Sequence, residues 1–215
     1  MIQRPDQRVA IFIDTQNMYH SAKHIYGARV NFAALVEAAA AGRTVVRAIA
    51  YVAKSKTGEE QAFFEALVQN GIELKVKDVQ EFASGEKKAD WDVGMAVDAM
   101  AMASRVDAMV LVTGDGDFVP LVQYLKSHGV VCDVTAFGAS TNSALREIAD
   151  HFLDVSAHPE QFLIHAHGAR RANKPSSPEA PDDLHLDLSP PRSVSKDRRR
   201  ERGGGDNGRK IRVTY

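Results

Sequence analysis

Apolar runs alternate with stretches of helical periodicity along the first 155 residues of the chain. Val9-Ala10-Ile11-Phe12-Ile13 is a continuous apolar run that ends at Asp14, and Ala108-Met109-Val110-Leu111-Val112 is another that stops at Thr113-Gly114-Asp115-Gly116-Asp117. Short runs with no polar face predict strands buried on both sides, as in a parallel sheet. Residues 45–53 predict a second strand and residues 72–77 a third. The third reads as an edge strand, because its lysines at 75 and 77 would face water and discourage further pairing. Residues 130–135 and 152–155 predict a fifth and a short sixth strand. Helical patterns fall between them: 18–26 with Asn17 as a possible N-cap, a restart at Asn31 that closes at Gly42, 59–69, 91–102, 118–127 and 142–149. Residues 78–89 read as a loop. This alternation predicts an α/β domain over residues 8–156, with a mainly parallel sheet of five or six strands flanked by helices.

In such a sheet, ligands bind outside the carboxyl ends of the strands, where crossovers leave in opposite directions. Asp14 and Asp115 both stand at that end of a predicted strand. Gly116 lets the chain turn sharply, so that Asp117 joins Asp115 at one small volume. If the two strands are neighbours, the gap between them is the switch point. Asp92 begins a predicted helix at the same edge. Asp98, six residues further on, lies roughly 600° around an ideal helix and so points about 120° away from Asp92. The two cannot serve one compact site, and Asp98 reads as a satisfied internal polar group. Other roles are open to the remaining residues: Asp117 or Asn17 as helix caps, and Asp92 as an acid favoured by the dipole of its own helix.

Oxygen ligands without a histidine or cysteine cluster suit a hard cation, Mg²⁺ or Mn²⁺, shared with a phosphate of the substrate. Several carboxylates in one place repel unless cations or protons intervene. No phosphate-binding glycine loop of the GxxxxGK[ST] or GxGxxG type is present, and no nucleophile elbow. The chemistry that remains is metal-assisted hydrolysis of a phosphodiester.

Charge divides the chain in two. From Gly168 onward there are 12 Lys+Arg against 7 Asp+Glu, and before it 15 against 21, within a formal net charge of -1. Proline-rich and serine-rich segments, then Arg198-Arg199-Arg200 and Gly203-Gly204-Gly205, predict a disordered basic tail over residues 157–215. Its last residues form a basic end suited to nucleic-acid phosphates or to plain solvation. No apolar run reaches the roughly 18 residues of a membrane span, and the N-terminus lacks the apolar core of a signal peptide. The single cysteine, Cys132, excludes an intrachain disulfide and points to a reducing compartment, the cytoplasm. It reads as a small buried hydrophobe.

Three blocks carry a resemblance. Ile11-Phe12-Ile13-Asp14-Thr15-Gln16-Asn17, Trp91-Asp92-Val93-Gly94-Met95-Ala96-Val97-Asp98 and Leu111-Val112-Thr113-Gly114-Asp115-Gly116-Asp117-Phe118 resemble the signature blocks of NYN domains. The likeness is greatest to the LabA-like bacterial group, within the PIN-like nuclease superfamily. It implies a Rossmann-like PIN fold and a metal-dependent ribonuclease centre built from Asp14, Asn17, Asp92, Asp115 and Asp117, with Mg²⁺ or Mn²⁺ held by the four aspartates and RNA as substrate. It leaves the role of Asp98 open and does not reach the tail. Two other readings stand beside it. One is a non-catalytic RNA-binding or regulatory module, and a homodimer is compatible with either. The other is a haloacid-dehalogenase-like phosphatase with Asp14 as nucleophile, against which stands Gln16, where that family usually carries an acid.

Overall fold

The computed structural model describes residues 3–55, 60–81, 87–88 and 90–165. Its centre is a six-stranded sheet of β1 (Arg8–Asp14), β2 (Thr44–Lys54), β3 (Glu73–Asp78), β4 (Ala108–Val112), β5 (Val131–Ala136) and β6 (His151–Asp154). The strands lie in the order β3-β2-β1-β4-β5-β6, and every neighbouring pair is parallel. Helices α1 (Thr15–Tyr26), α2 (Phe32–Ala40), α3 (Gln61–Gln69), α4 (Asp92–Met102), α5 (Val119–Ser127) and α6 (Ser143–Ile148) provide the crossovers.

Alternate side chains of β1 explain why its run is apolar throughout. Val9, Ile11 and Ile13 pack with Met18 and Ala22 of α1, Leu35 of α2 and Phe64 and Leu67 of α3. Ala10 and Phe12 face the other way, into a second core with Met95 and Ala99 of α4, Val122 and Leu125 of α5 and Leu145 of α6. The chain therefore covers one face while it builds β1 to β3. It then crosses over and covers the other face with α4, α5 and α6, before Phe162 and Leu163 return to the first face. The reversal falls between β1 and β4, which places the topological switch point at their carboxyl ends.

Several expectations need correction. Helix α1 starts at Thr15, earlier than expected, and its N-cap is Asp14, whose side chain accepts a hydrogen bond from the Asn17 N–H. Asn17 is therefore inside the first turn. The segment read as a loop contains an antiparallel pair, Gln80–Glu81 with Lys87–Lys88. Only two residues lie on each side, too few for a periodicity to show. Packing also continues past residue 156. A short helix α7 (Pro159–Phe162) buries Phe162, and Leu163–Ile164 pairs antiparallel with Arg29–Val30. The expected tail from residue 166 to residue 215 lies outside the described residues.

Cys132 is fully buried, and burial pushes its thiol up to about 12. Strand β3 is an edge strand as expected, but Lys75 reaches back to Asp98 instead of pointing freely into water. Among the described residues, no helix is long and apolar enough to cross a membrane. The ion pair of Arg43 with Asp133 is deeply buried: Arg43 Nη1 lies 2.8 Å from Asp133 Oδ2, and both side chains are at most 5% exposed.

Candidate metal centre

Strand β1 delivers Asp14 to the switch point as its last residue. One carboxylate oxygen accepts from the Asn17 N–H at 3.0 Å and the other from Thr113 Oγ1 at 3.2 Å. Burial pushes its carboxyl above the usual range, although these hydrogen bonds act in the opposite direction. Asn17 turns its amide oxygen to the Gly114 N–H at 2.9 Å. The start of α1 is thereby tied to the turn after β4.

That turn carries the next two acids. Thr113, fully buried, donates to Asp14 and accepts from the Asp115 N–H at 3.2 Å, so one hydroxyl sets the height of both loops. Asp115 then caps a short 3₁₀ turn, Gly116–Phe118, by accepting from the Asp117 N–H at 3.0 Å. The cap expected of Asp117 is made by Asp115, and Asp117 is left exposed. Phe118 is buried, and Pro120 in the first turn of α5 supplies a preset φ where no amide partner is required. The glycines have a packing reason as well. A Cβ on Gly116 would lie 2.5 Å from Asn142 Nδ2, and one on Gly114 would lie 3.1 Å from the Thr141 Cα.

The fourth acid arrives from the opposite layer. Asp92 is the first residue of α4, and its N–H donates to Asp90 Oδ1 at 2.9 Å. Trp91 holds this helix end against the sheet. Its indole N–H donates to the Val52 carbonyl at 2.9 Å, its ring meets Tyr51 edge-on at 5.4 Å, and a Cβ on Gly94 would come within 2.7 Å of it.

Asp92, Asp115 and Asp117 each offer an oxygen such that all three lie within 4.8 Å of one another. Opposite oxygens around a six-coordinate Mg²⁺ stand about 4.2 Å apart. The donor set is oxygen only and closely spaced, which fits a hard divalent ion. Asp14 does not join this close set, although its charge contributes to the field at Asp92. The carboxyl of Asp92 is pushed up to about 7, first by burial and then by Asp90, Asp14 and Asp115. Asp98 is elsewhere: it accepts from Tyr51 Oη and Lys75 Nζ, each at 2.7 Å.

Thr113 is the residue that pattern reading passed over. The signal for it was a lone hydroxyl between a wholly apolar strand and an acidic turn, where a buried group must find polar partners.

A stability prediction follows from Asp92. Its folded-state carboxyl titrates above the ordinary 3.8, at about 7, so the folded protein binds the extra proton across that window. Stability without metal is then greatest at the acid end, as far as this group is concerned, and falls as pH rises from about 4 to about 7. Thermal melts in a chelator should show this slope, and Asp92→Asn should flatten it. A slope unchanged by the substitution would assign it to other groups.

Comparison with known proteins agrees with this architecture. The chain is 26% identical over 170 residues to the low amplitude and bright protein LabA of Synechococcus elongatus, covering 73% of this chain and 87% of LabA. An uncharacterised protein of Methanocaldococcus jannaschii is 29% identical over 102 residues, 46% of this chain and 37% of its own length. A crystal structure of a Vibrio parahaemolyticus protein of unknown function superposes with a TM-score of 0.68 at 30% identity, covering 76% of this chain and all of that one. Residues 8–157 match the NYN domain, from the first strand through the last strand of the sheet. A match over that whole span, together with the LabA relationship, establishes that the chain belongs to the NYN domain family, as a LabA-like member of the PIN-like nuclease superfamily.

Proposed function

We propose that this protein is a metal-dependent ribonuclease that hydrolyses RNA phosphodiester bonds with Mg²⁺ or Mn²⁺. The observation that carries the reading is the convergence of Asp92, Asp115 and Asp117 within 4.8 Å at the switch point. When bound there, a divalent ion would activate water and neutralise charge on the scissile phosphate. Asp92, Asp115 and Asp117 are its proposed ligands. Asp14, the fourth proposed ligand, has both oxygens engaged by Asn17 and Thr113, and it adds negative charge from the strand side. Asn17 acts by holding the Gly114 amide and hence the acidic turn.

RNA is the proposed partner, the basic tail a proposed second contact with it, and the cytoplasm the proposed compartment.

The deciding assay incubates the full chain with mixed RNA and DNA, with and without Mn²⁺, beside an Asp14→Asn control. RNA cleavage that requires the ion and is lost in the control is the expected result. RNA binding with no cleavage under any ion would replace this reading with the non-catalytic module.

A further inference from the structure

Helix α4 is apolar nearly all the way round, and among the described residues only one side of it is covered. Met95, Ala99 and Met102 enter the core. On the opposite side Val93, Val97 and Met100 are 77%, 53% and 38% exposed, at spacings of four and three residues that make one continuous stripe. Ala101 and Ser104, both exposed and both small, lie beside it. From residue 92 to residue 104 the only charges are Asp92 and Asp98. Asp92 belongs to the acidic centre, and Asp98 is engaged by Lys75 and Tyr51. A surface helix ordinarily turns charge to water, and the core of a protein interface is where charged residues are depleted.

The ends of the stripe identify the occupant. Its N-terminal end carries exposed Asp90 beside Asp92, and its C-terminal end carries exposed Arg105. A second copy laid parallel would set like charge against like. A second copy laid antiparallel sets Arg105 against the acidic end, and it opposes the two helix dipoles favourably. Val97 stands at the middle of the helix, so a two-fold axis there brings Val93 opposite Ala101, a large side chain facing a small one.

We propose that the outer face of α4 is the contact between two copies of this chain, packed antiparallel about Val97, with Arg105 of each copy beside Asp90 of the other. The contact does not depend on the nuclease reading.

Sedimentation velocity of the full chain tests it. The native protein should be a concentration-dependent dimer. Val97→Asp should weaken the dimer about a hundredfold with an unchanged melting temperature, since the position is exposed. Arg105→Glu and Asp90→Arg should each weaken it about tenfold, and the two together should restore it. Val97→Cys should give an intersubunit disulfide under mild oxidation, because the native cysteine is buried; this variant serves if Val97→Asp fails to fold. A native chain that stays monomeric at high micromolar concentration, or a dimer that survives Val97→Asp, overturns the proposal. Failure of the paired charge reversal to restore association overturns the antiparallel arrangement.

Discussion

Asp115→Asn is expected to lower metal-dependent RNA cleavage by about 10³-fold, corresponding to roughly 4 kcal/mol of transition-state stabilisation, and to leave the fold standing. The two expectations separate because the side chain performs two tasks with different requirements. Capping the Gly116–Phe118 turn needs an acceptor oxygen for the Asp117 N–H, which an amide also provides. Holding a divalent ion needs the charge, which an amide lacks. Removing one carboxylate from a crowded set also relieves repulsion in the ion-free protein, so its melting temperature should be equal or slightly higher. Single-turnover cleavage of an end-labelled RNA across a Mn²⁺ titration, with thermal melts in a chelator, measures both. Full activity in this variant would remove Asp115 from the mechanism.

The largest effect on stability is expected far from that chemistry. Asp133→Ala should cost about 3–5 kcal/mol, because it strands a buried cation. The Arg43 guanidinium is almost wholly enclosed. It donates from Nε to the Ala40 carbonyl and from Nη2 to the Ala39 carbonyl, each at 2.9 Å, closing the end of α2. Asp133 supplies its counter-charge, and it also accepts from Gln3 Nε2 at 3.1 Å and lies 2.8 Å from His151 Nδ1. Removing the carboxylate leaves the guanidinium with carbonyl dipoles alone. The double change Arg43→Met with Asp133→Leu removes both charges and should recover most of the loss. Urea unfolding of the three variants gives the comparison. A cost below about 1 kcal/mol for Asp133→Ala would mean that water reaches the pair.

The centre of the sheet was readable because β1 and β4 are covered on both faces, so their apolar runs stand out without any knowledge of partners. Strand ends carrying Asp14 and Asp115 could then be placed at one edge, and their adjacency made that edge a switch point. What could not be read depends on contacts distant in sequence. Asp14 and Asn17 are both good caps by type, and the Gly114 amide is what draws Asn17 into another role. The engagement of Asp14 by Thr113, and its separation from the close set of three, rests on a hydroxyl 99 residues away. The pair Arg43–Asp133 joins a residue just before β2 to one within β5. Nothing in the local sequence around either residue marks the other as its partner. Phe162 had no periodic neighbours to reveal it, and its burial arises from the short strand at Leu163–Ile164 meeting Arg29–Val30.

The close fit beneath the acidic turn has a mechanical meaning. The Asn142 N–H donates to the Gly114 carbonyl at 2.9 Å, and the Asn142 side chain, packed against Gly116, caps α6 through the Ala144 and Leu145 amides. The turn that presents Asp115 and Asp117 is thus clamped between a parallel strand and the start of a helix. It cannot swing out like a lid without dragging α6 from its seat. In the proposed metal-bound state the backbone of this turn is already set, so little of its ordering entropy would be lost when a cation docks.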